Sequence, residues 1–170
     1  MINPIPNRGT IILAEWNKSI YNPVLDIGSV NSWDDNSIGS PSVVYDGVLF
    51  KMWHQGHDGG NWRIGYATST DGTHWTKHPT YIIDISSDIN NKNVHDPRVI
   101  IQNASYQMWH AASNQSITSI HINRTSSVDG ISWSSPSVDV IPATYNWETG
   151  KGISFPYTIF LNGEYKMWYG

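Results

Sequence analysis

SPSVVYDGVLFKMWH (residues 40–54), DPRVIIQNASYQMWH (96–110) and FPYTIFLNGEYKMWY (155–169) are three versions of one segment, each with 11 residues from Pro to Met. Outward from these, STDGTHW (69–75) recurs as SVDGISW (127–133), and Trp33-Asp34 recurs as Trp147-Glu148, eight or nine residues ahead of the segment's Pro. Trp16-Asn17-Lys18 matches Trp75-Thr76-Lys77. Landmarks that stay in phase define a tandem repeat of about 57 residues, and self-similarity at such a period marks a repeat architecture.

Within one repeat every local signal is β. Val43 to Tyr45, Leu49 to His54, Arg63 to Thr68 and Trp75 to Lys77 are short β-branched or aromatic runs, the residue types that fit a pleated surface. Between them stand turn pairs that tolerate positive φ: Asp46-Gly47 and Asn162-Gly163, then Asp71-Gly72 and Asp129-Gly130. No window has the 3.6-residue period of an amphipathic helix. A four-stranded antiparallel meander (strands A to D) repeated in tandem predicts an all-β chain of β-propeller blades. The repeats divide as 1–32 (end of a preceding blade plus connection), 33–79, 80–137 and 138–170 (start of the third). These are about 2.5 to 3 blades, too few to close a ring. The chain is therefore read as part of a longer gene product; otherwise copies complete one another, one chain's Ile11-to-Ile20 strands filling another's third blade.

Composition narrows the partners. Of 170 residues, 39% are apolar, with nine Trp, nine Tyr and three Phe, enough for a sizeable core. Charged residues are 14% and the net charge is −4, so there is no basic field for a phosphate backbone and nucleic acid is not expected. No apolar run approaches a membrane span, and no membrane partner is expected. The absence of cysteine excludes thiolate chemistry without choosing a compartment; a signal peptide ahead of the segment would make the protein secreted or cell-surface.

Because antiparallel strands reverse at each turn, the start of strand A, the end of strand B and the D-to-A connections share one end of the blade. Asp34, Asp35, His54, Asp96, His110, Glu148 and Tyr169 therefore gather there. The same end carries the loops of variable length (His54 to Trp62, Tyr81 to His95, Ser137 to Ile153), and function concentrates where variable loops ride on a rigid scaffold. The opposite end carries the hairpins of constant length.

NPVL (22–25), Trp33-Asp34, SPSVV (40–44), FKMWH (50–54) and RIGYATSTDGTHW (63–75) resemble the repeats of glycosyl hydrolase-like five-bladed propellers, the arabinanase, invertase and mannoside-phosphorylase group. The resemblance runs from about Asn22 to the end. The S-x-D-G-x-x-W hairpin is also similar to the Asp-box of sialidases, with one residue fewer, and that motif is structural. What the resemblance implies is a carbohydrate partner, no cofactor, and catalytic acids supplied by inner strands and adjoining loops at a funnel mouth. Glycosidic cleavage needs an acid to protonate the leaving oxygen and a carboxylate to attack or to activate the attacking group.

Asp96 is the leading catalytic candidate. His95-Asp96-Pro97-Arg98 resembles the Asp-Pro motif that opens an inner strand in that group, and Asp96 breaks its own repeat, whose equivalents are Ser40 and Phe155. The structural reading is that Asp96 caps the strand or pairs with Arg98. Asp34, Asp35 and Glu148 are further candidate acids, against the reading that an acid after the repeat's Trp builds every D-to-A connection. His54, Trp62, His95, Arg98, His110 and Tyr169 are candidate substrate-binding residues, an imidazole suiting a sugar hydroxyl or a phosphate and an exposed indole suiting a sugar ring. Satisfied packing is the competing reading of the histidines. Trp53, Trp109 and Trp168 recur at one strand position and are expected to pack between blades. HQGHD (54–58) holds three potential ligands without a ligand spacing, so no metal is expected. Three functions compete on these grounds: a glycosidase or phosphorylase, a non-catalytic carbohydrate-binding propeller, and a structural module of a phage or cell surface.

Overall fold

The computed structural model describes residues 17–84, 92–114, 119–137, 140–142, 144–148, 150 and 152–170. Trp16 and most of the Ile11-to-Ile20 stretch lie outside them. Three antiparallel sheets follow one another along the chain, and no helix occurs among the described residues. The first contains β1 (Ser37–Tyr45), β2 (Phe50–His57), β3 (Trp62–Ser69) and β4 (Thr76–Lys77) in that order. The second contains β5 (Asn93–Gln102), β6 (Ser105–Ser113) and β7 (Ile120–Ser127), with a single bridge from Arg124 to Ser137 where a fourth strand would run. The third is the hairpin of β8 (Tyr157–Leu161) and β9 (Glu164–Trp168). The strands extend a few residues beyond their β-branched cores because pairing, once in register, continues through His57 and Ser37.

The turn chemistry is local. At the first A-to-B hairpin, Asp46 Oδ1 accepts the N–H groups of Val48 and Leu49 at 2.9 and 2.8 Å. At the S-x-D-G-x-x-W hairpins, Asp71 Oδ1 accepts from Thr73 and His74, and Asp129 Oδ1 accepts from Ile131 and Ser132. These backbone donors hold the Asp129 carboxyl near a pKa of about 2. In both hairpins the Trp indole closes back on the glycine carbonyl. The motif is a self-contained clasp at the end opposite the candidate acids.

Aromatic side chains weld the sheets together. Trp53 is fully buried between the first two sheets, its ring 5.4 Å from both Tyr66 and Tyr106, with Ile64, Val94, Val99 and Met108 in the same cluster. Its Nε1 donates to the carbonyl of Gly130 at 2.9 Å. Gly130 is required twice there: its φ is +83°, and a Cβ would lie 2.8 Å from the Trp53 ring. Trp109 plays the same part between the second and third sheets, with Ile122 and Ile153. Trp168 does not: it is 56% exposed, against 0% and 3% for Trp53 and Trp109. Among the described residues no sheet stacks on the outer face of β8 and β9, the face that a following blade would cover.

Candidate functional site

The residue before the repeated proline is left-handed in all three sheets, with φ of +46° at Ser40, +52° at Asp96 and +53° at Phe155. Pairing slips between Gly39 and Ser42 and between His95 and Arg98, so the first two are β-bulges, devices that re-aim a side chain. A residue preceding proline prefers extended backbone, and holding it left-handed costs on the order of 1–3 kcal/mol. The surrounding structure must hold it there.

At Asp96 the holding groups come from two sheets. Gln55 Oε1 on β2 accepts the Asp96 N–H at 3.0 Å, and Ser40 Oγ on β1 donates to Oδ1 at 2.9 Å. His95 Nδ1 lies 2.9 Å from Oδ2. The carboxyl is 6% exposed. Arg98 points away, donating Nε to the carbonyl of Thr158 at 3.2 Å, with its guanidinium 4.1 Å from the Tyr157 ring centre. Asp96 therefore sits in a three-sided socket rather than in an ion pair with Arg98. Ser40 and Gln55 were not singled out in the sequence. Ser40 occupies the repeat position of Asp96, which in retrospect is the one signal available.

The other acids are tied to their own connections. Asp34 is 2% exposed and pairs with Lys77 Nζ on β4 at 2.6 Å while accepting from Ser32 Oγ at 3.0 Å. Asp35 accepts the N–H of Asn31 at 2.7 Å. Glu148 accepts the N–H groups of Thr144 and Tyr145 at 2.6 and 2.7 Å and the Tyr169 hydroxyl at 2.7 Å. The backbone bond at Tyr145 and the Tyr169 hydroxyl hold the Glu148 carboxyl below its ordinary range, and the same bond raises the Tyr169 phenol. Trp33 stacks on His54 at 5.6 Å and Trp147 on Tyr169 at 5.6 Å, so in these two repeats the Trp covers the strand-B residue while the acid anchors the connection. Asp34→Asn is accordingly expected to lower unfolding stability by about 1–3 kcal/mol, the cost of weakening a buried charge-assisted contact. Turnover per folded molecule should be unchanged; a loss of kcat with unchanged stability would place Asp34 in the chemistry instead.

The histidines divide by burial. His110 is 1% exposed, its Nδ1 3.2 Å from the Ala111 carbonyl, and burial pushes its pKa down from 6.5 to about 4, with His95 and His121 acting in the same direction. Burial lowers His54 likewise. A histidine held neutral in the fold binds a proton more readily once unfolded, so its stabilising contribution is full above pH 6.5 and is lost as pH falls toward 4. For His110 that span corresponds to about 3 kcal/mol. His110→Gln should therefore flatten the fall in stability between pH 7 and pH 4 as followed by denaturant titration. An unchanged pH slope would show that His110 does not set it.

Trp62 opens β3 and stacks on His57 at 4.5 Å, while its backbone N–H donates to Asn93 Oδ1 at 3.0 Å. Nearby, Asn31, Ser32, Trp33, Asp35, Asp58, Arg63 and Tyr81 line a cavity of about 390 Å³. Arg63 pairs there with Asp58 through Nη1 and with Asp84 through Nε, and lies over Tyr81. The side chains of HQGHD diverge, His54 toward Trp33, His57 toward Asn36 and Asp58 toward Arg63. Among the described residues no group of three such side chains is placed to hold a metal ion.

Comparison with known proteins fits this architecture. The family model described as beta-1,4-mannooligosaccharide phosphorylase, glycoside hydrolase family 130, matches residues 38–170. An uncharacterized protein of Mycobacterium tuberculosis, Rv1502, is 29% identical over 147 residues, spanning 80% of this chain and 47% of that protein. A glycosyl hydrolase from Bacteroides ovatus superposes with a TM-score of 0.71 at 20% identity, over 90% of this chain and 52% of the other. A structure from the family 130 mannoside phosphorylases, a family said to contain glycoside hydrolases that target beta-1,2 mannosidic linkages in Candida mannan, superposes with a TM-score of 0.74 at 19% identity, over 90% and 52%. The chain thus spans about half the length of the curated relatives and solved structures it matches. By the match over residues 38–170, the chain belongs to glycoside hydrolase family 130, the mannooligosaccharide phosphorylase family, and its three sheets are consecutive blades of a β-propeller.

Proposed function

We propose that this protein cleaves glycosidic bonds in mannose-containing oligosaccharides, by phosphorolysis or hydrolysis, with Asp96 as the acid that serves the leaving oxygen. One observation carries the reading: a buried carboxyl on a left-handed bulge, at the loop end of the blades, held by Ser40, His95 and Gln55. A carboxyl that donates its proton to the bridging oxygen lets the bond to the sugar break as water or phosphate attacks the anomeric carbon. His95 and the Trp62 face remain the candidates for contact with sugar.

A carbohydrate-binding propeller without turnover is the second reading, favoured by the engagement of Asp34, Asp35 and Glu148 in local bonds. Incubating the whole protein with β-linked mannooligosaccharides, with and without inorganic phosphate, separates the two. Mannose 1-phosphate in the presence of phosphate marks phosphorolysis, and free mannose in its absence marks hydrolysis. Binding of the same oligosaccharides with neither product sinks the catalytic reading.

A further inference from the structure

We propose that Gln55 and Ser40, both on the first blade, are positioning residues that hold Asp96 of the second blade in its working orientation; this rests on the catalytic reading of Asp96. The bulge leaves Asp96 out of the β5–β6 ladder, which skips from His95 to Arg98, so its N–H needs a partner from elsewhere. Gln55 Oε1 is that partner. Gln55 itself is anchored in the middle of β2, opposite Gly39 on β1 and Ile64 on β3. Ser40 sits on the first blade's own bulge, left-handed like Asp96, and reaches 2.9 Å to Oδ1. Two equivalent bulges of adjacent blades thus clasp each other, one supplying the hydroxyl and the other the carboxyl.

The consequence is directional. His95 contacts Oδ2 but lies on the same strand as Asp96 and moves with it. Among the described residues only Gln55, through the backbone N–H, and Ser40, through the carboxyl, reference Asp96 to the neighbouring blade. Without the Gln55 acceptor the bulge relaxes toward the extended backbone that a residue before proline prefers, and the carboxyl swings away. Misplacement of a reacting group by about 1 Å costs on the order of 100-fold in rate.

The test compares Gln55→Ala, Ser40→Ala and Asp96→Asn in the whole protein on a mannooligosaccharide that the wild type cleaves. Gln55→Ala and Ser40→Ala are expected to lower kcat by about 10- to 100-fold with KM within about 3-fold. Amide hydrogen exchange at Asp96 should quicken in Gln55→Ala while exchange at Val99 and Met108 stays protected. Loss of turnover in Asp96→Asn, with Gln55→Ala and Ser40→Ala within about 3-fold of wild type, overturns this inference and leaves the role of Asp96 intact. So does a rate loss matched by loss of folded protein. Wild-type turnover in Asp96→Asn removes both the catalytic reading and the inference built on it.

Discussion

Asp96→Asn is expected to lower turnover by about 10²- to 10⁴-fold, the range for removing a general acid or base, with little change in stability. The two parts of that expectation come from the same socket. The amide is the same size as the carboxyl, and its oxygen still accepts from Ser40 Oγ in the place of Oδ1. The amide nitrogen then faces His95 Nδ1 where Oδ2 stood. That contact needs the imidazole to present a lone pair at Nδ1, which moves its proton to Nε2. Nε2 of His95 is buried without a partner among the described residues, so neither tautomer breaks an existing bond there. The backbone bond from Asp96 to Gln55 does not involve the side chain. The rate falls because an amide donates no proton to a leaving oxygen. Kinetics on a mannooligosaccharide, paired with a thermal melt, reads both quantities; turnover within about 3-fold of wild type would falsify the assignment.

Trp53→Ala is expected to destabilise the fold by about 3–5 kcal/mol, the range for truncating a fully buried large aromatic. Its ring touches Tyr66, Tyr106 and Trp133, two of them on the second blade or its hairpin, and its indole N–H is the donor to Gly130. Truncation leaves a cavity between two blades and removes one of the two indole donors to the Gly130 carbonyl, leaving it Trp133. Trp168→Ala, at the same place in the repeat, should cost under about 1 kcal/mol in residues 1–170, where that ring is 56% exposed. Equilibrium denaturation of both variants measures the contrast. Equal costs would mean that the Trp168 face is covered in solution as the Trp53 face is here.

That contrast shows where sequence reading stops. Repeat periodicity identified Trp53, Trp109 and Trp168 as equivalent, and as positions on a strand they are. What each one packs against depends on the next blade, which the strand itself does not encode. The same holds for the acids. Trp33-Asp34 and Trp147-Glu148 were legible as landmarks, but their bonds to Lys77 on β4 and to Tyr169 beyond β9 required the connection to be folded back on its blade. Trp62, read as a loop residue, became the first residue of β3 because pairing with His57 extends the hairpin by one step.

The sequence carries the blades and their hairpins. Those follow from the two-residue strand period and from turns that need positive φ, as at Gly47, Asn162 and Gly163, and both are local rules. It also marked Asp96 as the residue that departs from its repeat. What surrounds Asp96 comes from tertiary contacts. Ser40 lies 56 residues away and Gln55 lies 41 away, and their side chains arrive through the docking of one blade on the next. That docking is set by long-range packing around Trp53, which no local periodicity reports.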